Sequence, residues 1–332
     1  MIGSAADHSI TSTLPRMVEA DIGTTTLHRL QRLKGGYSRQ LWAVDLLDVS
    51  GRIHEFVLCM DTPEGVVKEG EQTLDRASEG RLLRALHASG LPVPDALAWG
   101  DADCVLGRPF VLMERIAGST AVGPLARDPH FVERHELLAH QMADMLASIH
   151  AAHVPAIFLD SPVSPPADEM ERWRRAATAT PNAQLPIFGA VFDWLDRNRP
   201  TSSGNPVLVH GDFRTGNLIY DHTGFVSVLD WEMAHLGDAL EDVAWAQLIC
   251  WQLGTGRVGG LVNRNSWAKQ YERASGRRID NGSLRFWEVL GSLKMSILAW
   301  RAIQVTADGK ERSLLEQIRA DLARELATQV AS

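Results

Sequence analysis

One stretch of the chain, Val207-Leu208-Val209-His210-Gly211-Asp212-Phe213-Arg214-Thr215-Gly216-Asn217-Leu218-Ile219, passes from apolar residues into a polar loop and back. The pattern reads as strand, loop and strand, and it places Asp212 and Asn217 on one turn. A second carboxylate, Asp230, closes the next apolar run, Phe225-Val226-Ser227-Val228-Leu229, so a strand end would project it toward the same loop. Phosphoryl transfer needs such a set. Mg²⁺ prefers hard oxygen ligands and bridges phosphate oxygens, while a carboxylate orients the attacking hydroxyl and takes its proton. Singly, each residue has a plainer explanation: an Asp after a strand is often a cap or turn residue, and Asn217 could satisfy loop backbone. Jointly, their order and setting favour chemistry, with Asp212 as proton acceptor, Asn217 and Asp230 as metal ligands, and His210 as a structural hydrogen-bonder rather than a base.

Two kinds of region must position these groups. Thr25-Leu33, Arg39-Leu47 and His54-Met60 are β-prone and separated by Lys34-Ser38 and Ser50-Gly51, which predicts three short antiparallel strands. A helix is expected from Leu74 to Ala88, where Leu82, Leu83 and Leu86 recur at helical spacing and Gly90 and Pro92 follow; it carries Glu79. Ala96-Gly100 and Arg108-Met113 are two further strands. Beyond Gly118 the pattern turns helical, beginning with Val132-His150 and its Leu137, Leu138, Met142, Met145 and Leu146. Helices around Glu169-Ala177 and Phe188-Asn198 follow, with loops at Asp160-Asp168 and Thr201-Pro206. Residues 1–20 lack periodicity and are expected to be a mobile lead-in, 21–116 a small sheet-rich lobe and 117–332 a larger helical one. No internal repeat or low-complexity tract occurs.

Composition sets the outer limits. With 332 residues, 45% hydrophobic and 22% charged, the chain is expected to be an ordinary globular protein of two intimately packed parts. Its longest apolar runs are too short to cross a bilayer and no leader pattern precedes them, so a cytoplasmic location is expected. Cys59, Cys104 and Cys250 form no CxxC pair, and read as small buried hydrophobes rather than as a disulfide or zinc set. A net charge of −8 argues against a nucleic-acid surface. Nothing in the sequence sets an oligomeric state.

The spacing H-x-D-x-x-x-x-N, from His210 through Asp212 to Asn217, is that of the kinase catalytic loop. From about Arg32 to Ala246 the sequence resembles the aminoglycoside phosphotransferase and choline kinase group of the protein-kinase-like fold, most specifically over HGDFRTGNLIYDHTGFVSVLDWE. Its continuation, Met233-Ala234-His235-Leu236-Gly237-Asp238-Ala239-Leu240-Glu241-Asp242-Val243-Ala244-Trp245, together with Trp287-Glu288-Val289-Leu290-Gly291, is similar to the branch of kinase domains associated with acyl-CoA dehydrogenases. The resemblance implies an α+β, two-lobed kinase-like fold: a small antiparallel-sheet N-lobe binding the nucleotide and a mainly helical C-lobe binding the acceptor. It implies a Mg²⁺-dependent phosphotransferase using ATP, with GTP left open, on a hydroxyl of a small molecule; in that branch the acceptor is a hydroxyacyl-CoA. Glu232 would support the metal site or cap local structure, two readings of equal weight. A protein kinase is disfavoured, because Asp230 opens Asp-Trp-Glu rather than Asp-Phe-Gly and no Ala-Pro-Glu follows.

On the nucleotide side the resemblance places Gly35, Gly36 and Ser38 in a phosphate-covering turn, where glycines let backbone amides approach an anion. Two glycines alone would more often make a plain hairpin. Met113, Glu114 and Ile116 align with the segment joining the lobes, with adenine bonding to the backbone of Glu114 and Ile116 and with Val111 and Met113 packing nearby. The pattern breaks in the third strand. There the family has a cation that touches phosphate and pairs with the helix glutamate, and this chain has Cys59. Glu79 is then expected to lack its partner. Lys34, Arg52 or Lys68 could fill in, the alignment could slip, or nucleotide binding could be weakened. Two alternatives to a small-molecule kinase follow: a degenerate nucleotide-binding regulator, or an aminoglycoside or macrolide phosphotransferase. Six tryptophans, Trp231, Trp245, Trp251, Trp267, Trp287 and Trp300, concentrate late in the chain; core packing is the default, with a subset lining an apolar acceptor pocket as the sharper reading.

Overall fold

Strand-forming residues dominate the first unit of the fold. A computed structural model describes residues 12–33, 39–61, 74–158, 165–180, 186–200, 205–306 and 309–331, and these group into two compact units. The first runs to Ala117 and reclaims a later segment, Ser227–Glu232; the second holds the rest from Gly118 onward. In the first unit, β1 (Thr25–Arg32), β2 (Arg39–Asp48), β3 (Ile53–Asp61), β4 (Ala96–Gly100) and β5 (Phe110–Glu114) form one antiparallel sheet in the order β1-β2-β3-β5-β4. Period-two alternation gives the sheet two faces. Val44, Leu46, Phe56, Leu58, Met60, Phe110 and Leu112 line one, in a core that also takes in Leu14 and Val18. Those last two correct the expected lead-in: residues 12–17 and Glu19–Ile22 are helical, and a pair of apolar residues four apart suffices to bury one side of so short a segment.

The helix Arg76–Ala88 starts where the Asp75 side chain accepts the Ser78 N–H at 2.6 Å. It buries Leu82, Leu83 and Leu86 and packs on β4 and β5. Gly80 permits the close approach, because a Cβ there would lie 2.7 Å from the Trp99 ring. Trp99 pairs with Val111, and Val111 with Cys59, so the helix covers the face that carries Cys59.

The second unit is mainly helical, with His135–Ala151, Pro166–Thr178, Pro186–Arg197, Ala239–Ala246, Arg264–Ser275, Asn281–Val305 and Lys310–Ala331 as its principal helices. Asp238, Asn263 and Asp280 cap three of them by accepting the N–H of Leu240, Ser266 and Ser283. Asn281–Val305 runs through the core, burying Phe286, Trp287, Leu290 and Leu293, and contacts Ala239–Ala246 and Lys310–Ala331. A short ladder of β6 (Val207–Val209) with β9 (His235–Gly237) anchors the polar loop, which leads through β7 (Leu218–Tyr220) to β8 (Phe225–Val228). Of the three cysteines only Cys59 is fully buried, while Cys104 and Cys250 are partly exposed. Among the described residues no helix is long and apolar enough to cross a membrane.

Candidate active site

The loop after β6 is held by its backbone before its side chains do anything. Buried Val207, Leu208 and Val209 deliver the chain to Gly211, whose φ of 83° and lack of Cβ are both required: a Cβ would stand 2.5 Å from the Met233 carbonyl oxygen. The Asp242 carboxylate accepts the His210 N–H at 2.7 Å and the Gly211 N–H at 2.9 Å. His150 Nε2 lies 3.1 Å from that carboxylate, and His150 Nδ1 lies 2.6 Å from the Tyr271 hydroxyl, so three helices fix the turn. His210 is fully buried and its Nδ1 accepts the Asp212 N–H at 3.2 Å, the structural role expected of it. Asp242 went unassigned in the sequence, although it sits in the quoted Gly237-Asp238-Ala239-Leu240-Glu241-Asp242 run; only the fold shows which backbone it reaches.

This unit brings Asp212 and Asn217 together. Asp212 Oδ1 accepts from Trp245 Nε1 at 2.7 Å and from Arg214 Nε at 3.1 Å, and its Oδ2 accepts from Asn217 Nδ2 at 2.7 Å. Asn217 Nδ2 also donates to the Asp212 carbonyl at 2.9 Å. Both partners are acceptors, so the amide nitrogen must face Asp212 and the amide oxygen must turn away from it. That oxygen is a hard donor of the kind Mg²⁺ takes.

The first unit holds Glu79, Asp230 and Glu232 in a second cluster. Asp230 follows β8 with φ at 69°, a left-handed backbone uncommon for a non-glycine residue. Arg39 Nη1 is 2.9 Å from Asp230 Oδ1 and 3.5 Å from Glu79 Oε1, while its Nη2 is 2.5 Å from Glu232. Arg76 pairs with Glu79, with Asp61 at 2.6 Å and with Glu232 at 3.1 Å. Burial alone would lower the Arg39 pKa, but the Asp230, Glu79 and Glu232 carboxylates outweigh it and raise it well above the ordinary value. Two guanidiniums against four carboxylates leave an excess of two negative charges, which a divalent cation would offset. Among the described residues no group of three or more His, Cys, Asp or Glu forms a metal cage; Mg²⁺ does not require one, since it is usually held by one or two carboxylates plus phosphate and water.

This cluster overturns the expectation that Glu79 lacks a partner. Burial pushes the Cys59 thiol up to about 11, so Cys59 stays neutral, and the charge comes from Arg39 on the neighbouring strand and Arg76 on the helix itself. Of the proposed substitutes, Arg52 lies on the exposed Asp48–Arg52 turn, and Lys34 and Lys68 fall outside the described residues. A signal for Arg39 existed: it shares strand parity with Leu41, which pairs with Cys59, so it belongs to the Cys59 face. Glu232 is neither a cap nor an isolated carboxylate, since both arginines engage it.

The remaining residues expected on the nucleotide side are less concentrated. Gly35, Gly36 and Ser38 lie outside the described residues. Met113 and Glu114 end β5, with Ile116 just beyond. The Glu114 N–H donates to Asp95 O at 2.8 Å, so toward a base Glu114 can offer its carbonyl but not its N–H.

A small antiparallel sheet with a buried helix glutamate, and a helical unit whose strand opens into an Asp-to-Asn loop, define a protein-kinase-like fold. The phosphotransferase enzyme family matches residues 29–287, and the chain belongs to that family. Its relatives include acyl-CoA dehydrogenase family member 10 of mouse, 31% identical over 56% of this chain and 18% of that protein. Family member 11 of chicken is 27% identical over 70% of this chain and 32% of that protein, and the probable acyl-CoA dehydrogenase IBR3 of Arabidopsis thaliana is 28% identical over 68% and 30%. The chain thus spans at most about a third of these relatives. In structure it is similar to a Ralstonia eutropha JMP134 protein that carries a provisional aminoglycoside phosphotransferase assignment, at 20% identity with a TM-score of 0.72 over 98% of both chains. Aminoglycoside phosphotransferase APH(4)-Ia, solved with ADP and hygromycin B, matches at 17% identity and a TM-score of 0.62 over 96% of this chain and 98% of the other.

Proposed function

We propose that this chain is a Mg²⁺-dependent phosphotransferase that moves the terminal phosphoryl group of ATP to a hydroxyl of a small molecule, a hydroxyacyl-CoA or an apolar alcohol. The observation that carries the reading is the Asp212 carboxylate, held on one oxygen by Asn217, whose own amide oxygen is turned away from it. Asp212 takes the acceptor's hydroxyl proton, the acceptor oxygen bonds to the terminal phosphorus, and the bridging P–O bond breaks to release ADP. Asn217 and Asp230 would supply oxygen ligands to Mg²⁺, which when bound would neutralise charge on the phosphate oxygens. Glu79, Met113, Glu114 and Ile116 belong to the nucleotide side in this reading, together with Gly35, Gly36 and Ser38. The acyl-CoA class of acceptor is supported by the relatives' names; GTP remains an alternative donor to be compared.

Arg39 weighs against the degenerate, regulatory alternative, because it restores the cation that Cys59 omits. Replacing Arg39 with Met should leave Glu232 and Asp230 short of their partner and weaken Mg²⁺-nucleotide binding by about 10-fold to 100-fold, the size of one to two charge-assisted hydrogen bonds. Isothermal titration with a non-hydrolysable ATP analogue measures it; unchanged affinity would remove Arg39 from the nucleotide site. Arg39→Lys should recover little, since a point charge cannot span three carboxylates.

The function itself is tested by following ADP release with Mg²⁺ and ATP against hydroxyacyl-CoAs, sugars, choline and aminoglycosides, with Asp212→Ala as control. Transfer to an acyl-CoA hydroxyl, absent from the control, is the expected result. Nucleotide binding without transfer to any acceptor would overturn the proposal in favour of a regulatory module, and transfer confined to aminoglycosides would overturn the acceptor class.

A further inference from the structure

We infer that Trp245 is a positioning residue for phosphoryl transfer, its indole N–H fixing the orientation of the Asp212 carboxylate that serves as the base; this rests on the function proposed above. The indole donates to Asp212 Oδ1 at 2.7 Å, and Arg214 Nε adds a second bond to that oxygen at 3.1 Å. The same Arg214 N–H lies 3.3 Å from Oδ2, so it is shared by both oxygens, and each oxygen has one donor of its own: the indole on Oδ1 and Asn217 at 2.7 Å on Oδ2. The carboxylate plane is therefore pinned from two sides, and the indole fixes one of them. Trp245 is only 2% exposed, so no bulk water stands ready to replace its N–H.

The indole is itself locked by groups that the proposed chemistry does not use. Lys294, 1% exposed, places Nζ 5.5 Å from the Trp245 ring centroid and 5.3 Å from that of Trp173. Two buried carboxylates hold the ammonium there, Glu241 at 2.5 Å and Glu169 at 3.1 Å, and Trp173 Nε1 donates to the same Glu169 oxygen at 2.8 Å. On the side toward the loop, Trp251 lies 6.2 Å from Trp245 and carries the Arg214 guanidinium 4.5 Å above its ring. A cation over the face of an indole draws electron density from the ring and strengthens the N–H as a donor. Trp245 thus ties a buried ion cluster to the reacting carboxylate.

Two measurements test this. In Trp245→Phe, which keeps an aromatic ring but removes the donor, kcat should fall about 10-fold to 100-fold, the range for lost outer-shell orientation, with the nucleotide KM within about twofold of the parent. A residue that only packed would not separate kcat from KM in this way. If Trp245→Phe does not fold, 3-benzothienylalanine at position 245, which exchanges the N–H for sulfur at nearly constant shape, makes the same comparison. The second readout needs no turnover: of the chain's ten tryptophans, the indole ¹H–¹⁵N signal missing in Trp245→Phe should shift in Asp212→Ala. An unchanged kcat in the donor-less variant, or an indole signal indifferent to Asp212→Ala, overturns the inference. Absence of transfer in the parent protein would instead reject the proposed function, and the indole signal would then decide alone whether Trp245 engages Asp212.

Discussion

Asp212→Ala is expected to lower kcat by about 10²-fold to 10⁴-fold, the usual contribution of a positioned general base. The loss reaches beyond one proton acceptor. Trp245 Nε1, Asn217 Nδ2 and Arg214 Nε all converge on this carboxylate, and its removal leaves the Asn217 amide held through the Asp212 main-chain carbonyl alone. A modest rise in the Mg²⁺ concentration needed for half-maximal nucleotide binding should therefore accompany the fall in kcat. Single-turnover measurements at saturating nucleotide separate the two effects. A variant that keeps kcat within about tenfold of the parent would show that the proton leaves by another route, and Asp212 would become a structural acceptor for its three donors.

Lys294→Met is the second large effect, and it falls on stability. The ammonium is fully buried between Glu169 and Glu241; burial alone would lower its pKa, but the two carboxylates raise it above the ordinary lysine value. Its removal leaves two buried carboxylates short of compensation, a loss of about 3–5 kcal/mol for one broken buried pair. For a unit of this size Tm should drop by roughly 6–20 °C. Adding Glu241→Gln should recover part of the loss, which distinguishes stranded charge from a cavity. The pH dependence has a definite sign. Lys294 and His235 hold the Glu241 pKa below its ordinary value against the opposing effect of burial, so that stabilisation is present above the unfolded carboxylate pKa of about 4.3 and fades as pH falls through the lower folded value. The gap between variant and parent should accordingly narrow in acid. Thermal denaturation across pH measures it, and a loss under about 1 kcal/mol at neutral pH would mean that the buried cation is not needed by its carboxylates.

Local order was legible where chemistry and periodicity coincide. The Val207-to-Asn217 loop declares itself by an apolar run, a glycine at a turn that admits no Cβ, and an Asp-to-Asn spacing one turn can satisfy, and the structure joins those two side chains directly. The strands around Arg39, His54 and Ala96 were visible for the same kind of reason, since alternation with period two records which residues face a core. The N-terminal helical segment was missed because its two buried residues, Leu14 and Val18, are too few to make a periodic signal until a sheet surface meets them.

What the sequence by itself determined, then, is the inventory and its local geometry: the strand-loop-strand segment, the acid and amide on one turn, and a third strand without its cation. Tertiary structure alone decided who partners whom across long separations. Arg39 reaches Glu232 across 193 residues and Lys294 reaches Glu169 across 125, and no pattern of neighbours encodes such pairs. The physical reason is that a buried charge must be matched wherever the chain happens to bring an opposite one near, so compensation is a property of packing rather than of spacing. Cys59 looked like a missing part when read in its own strand; in the folded first unit it is a neutral neighbour of a guanidinium that comes from the strand beside it.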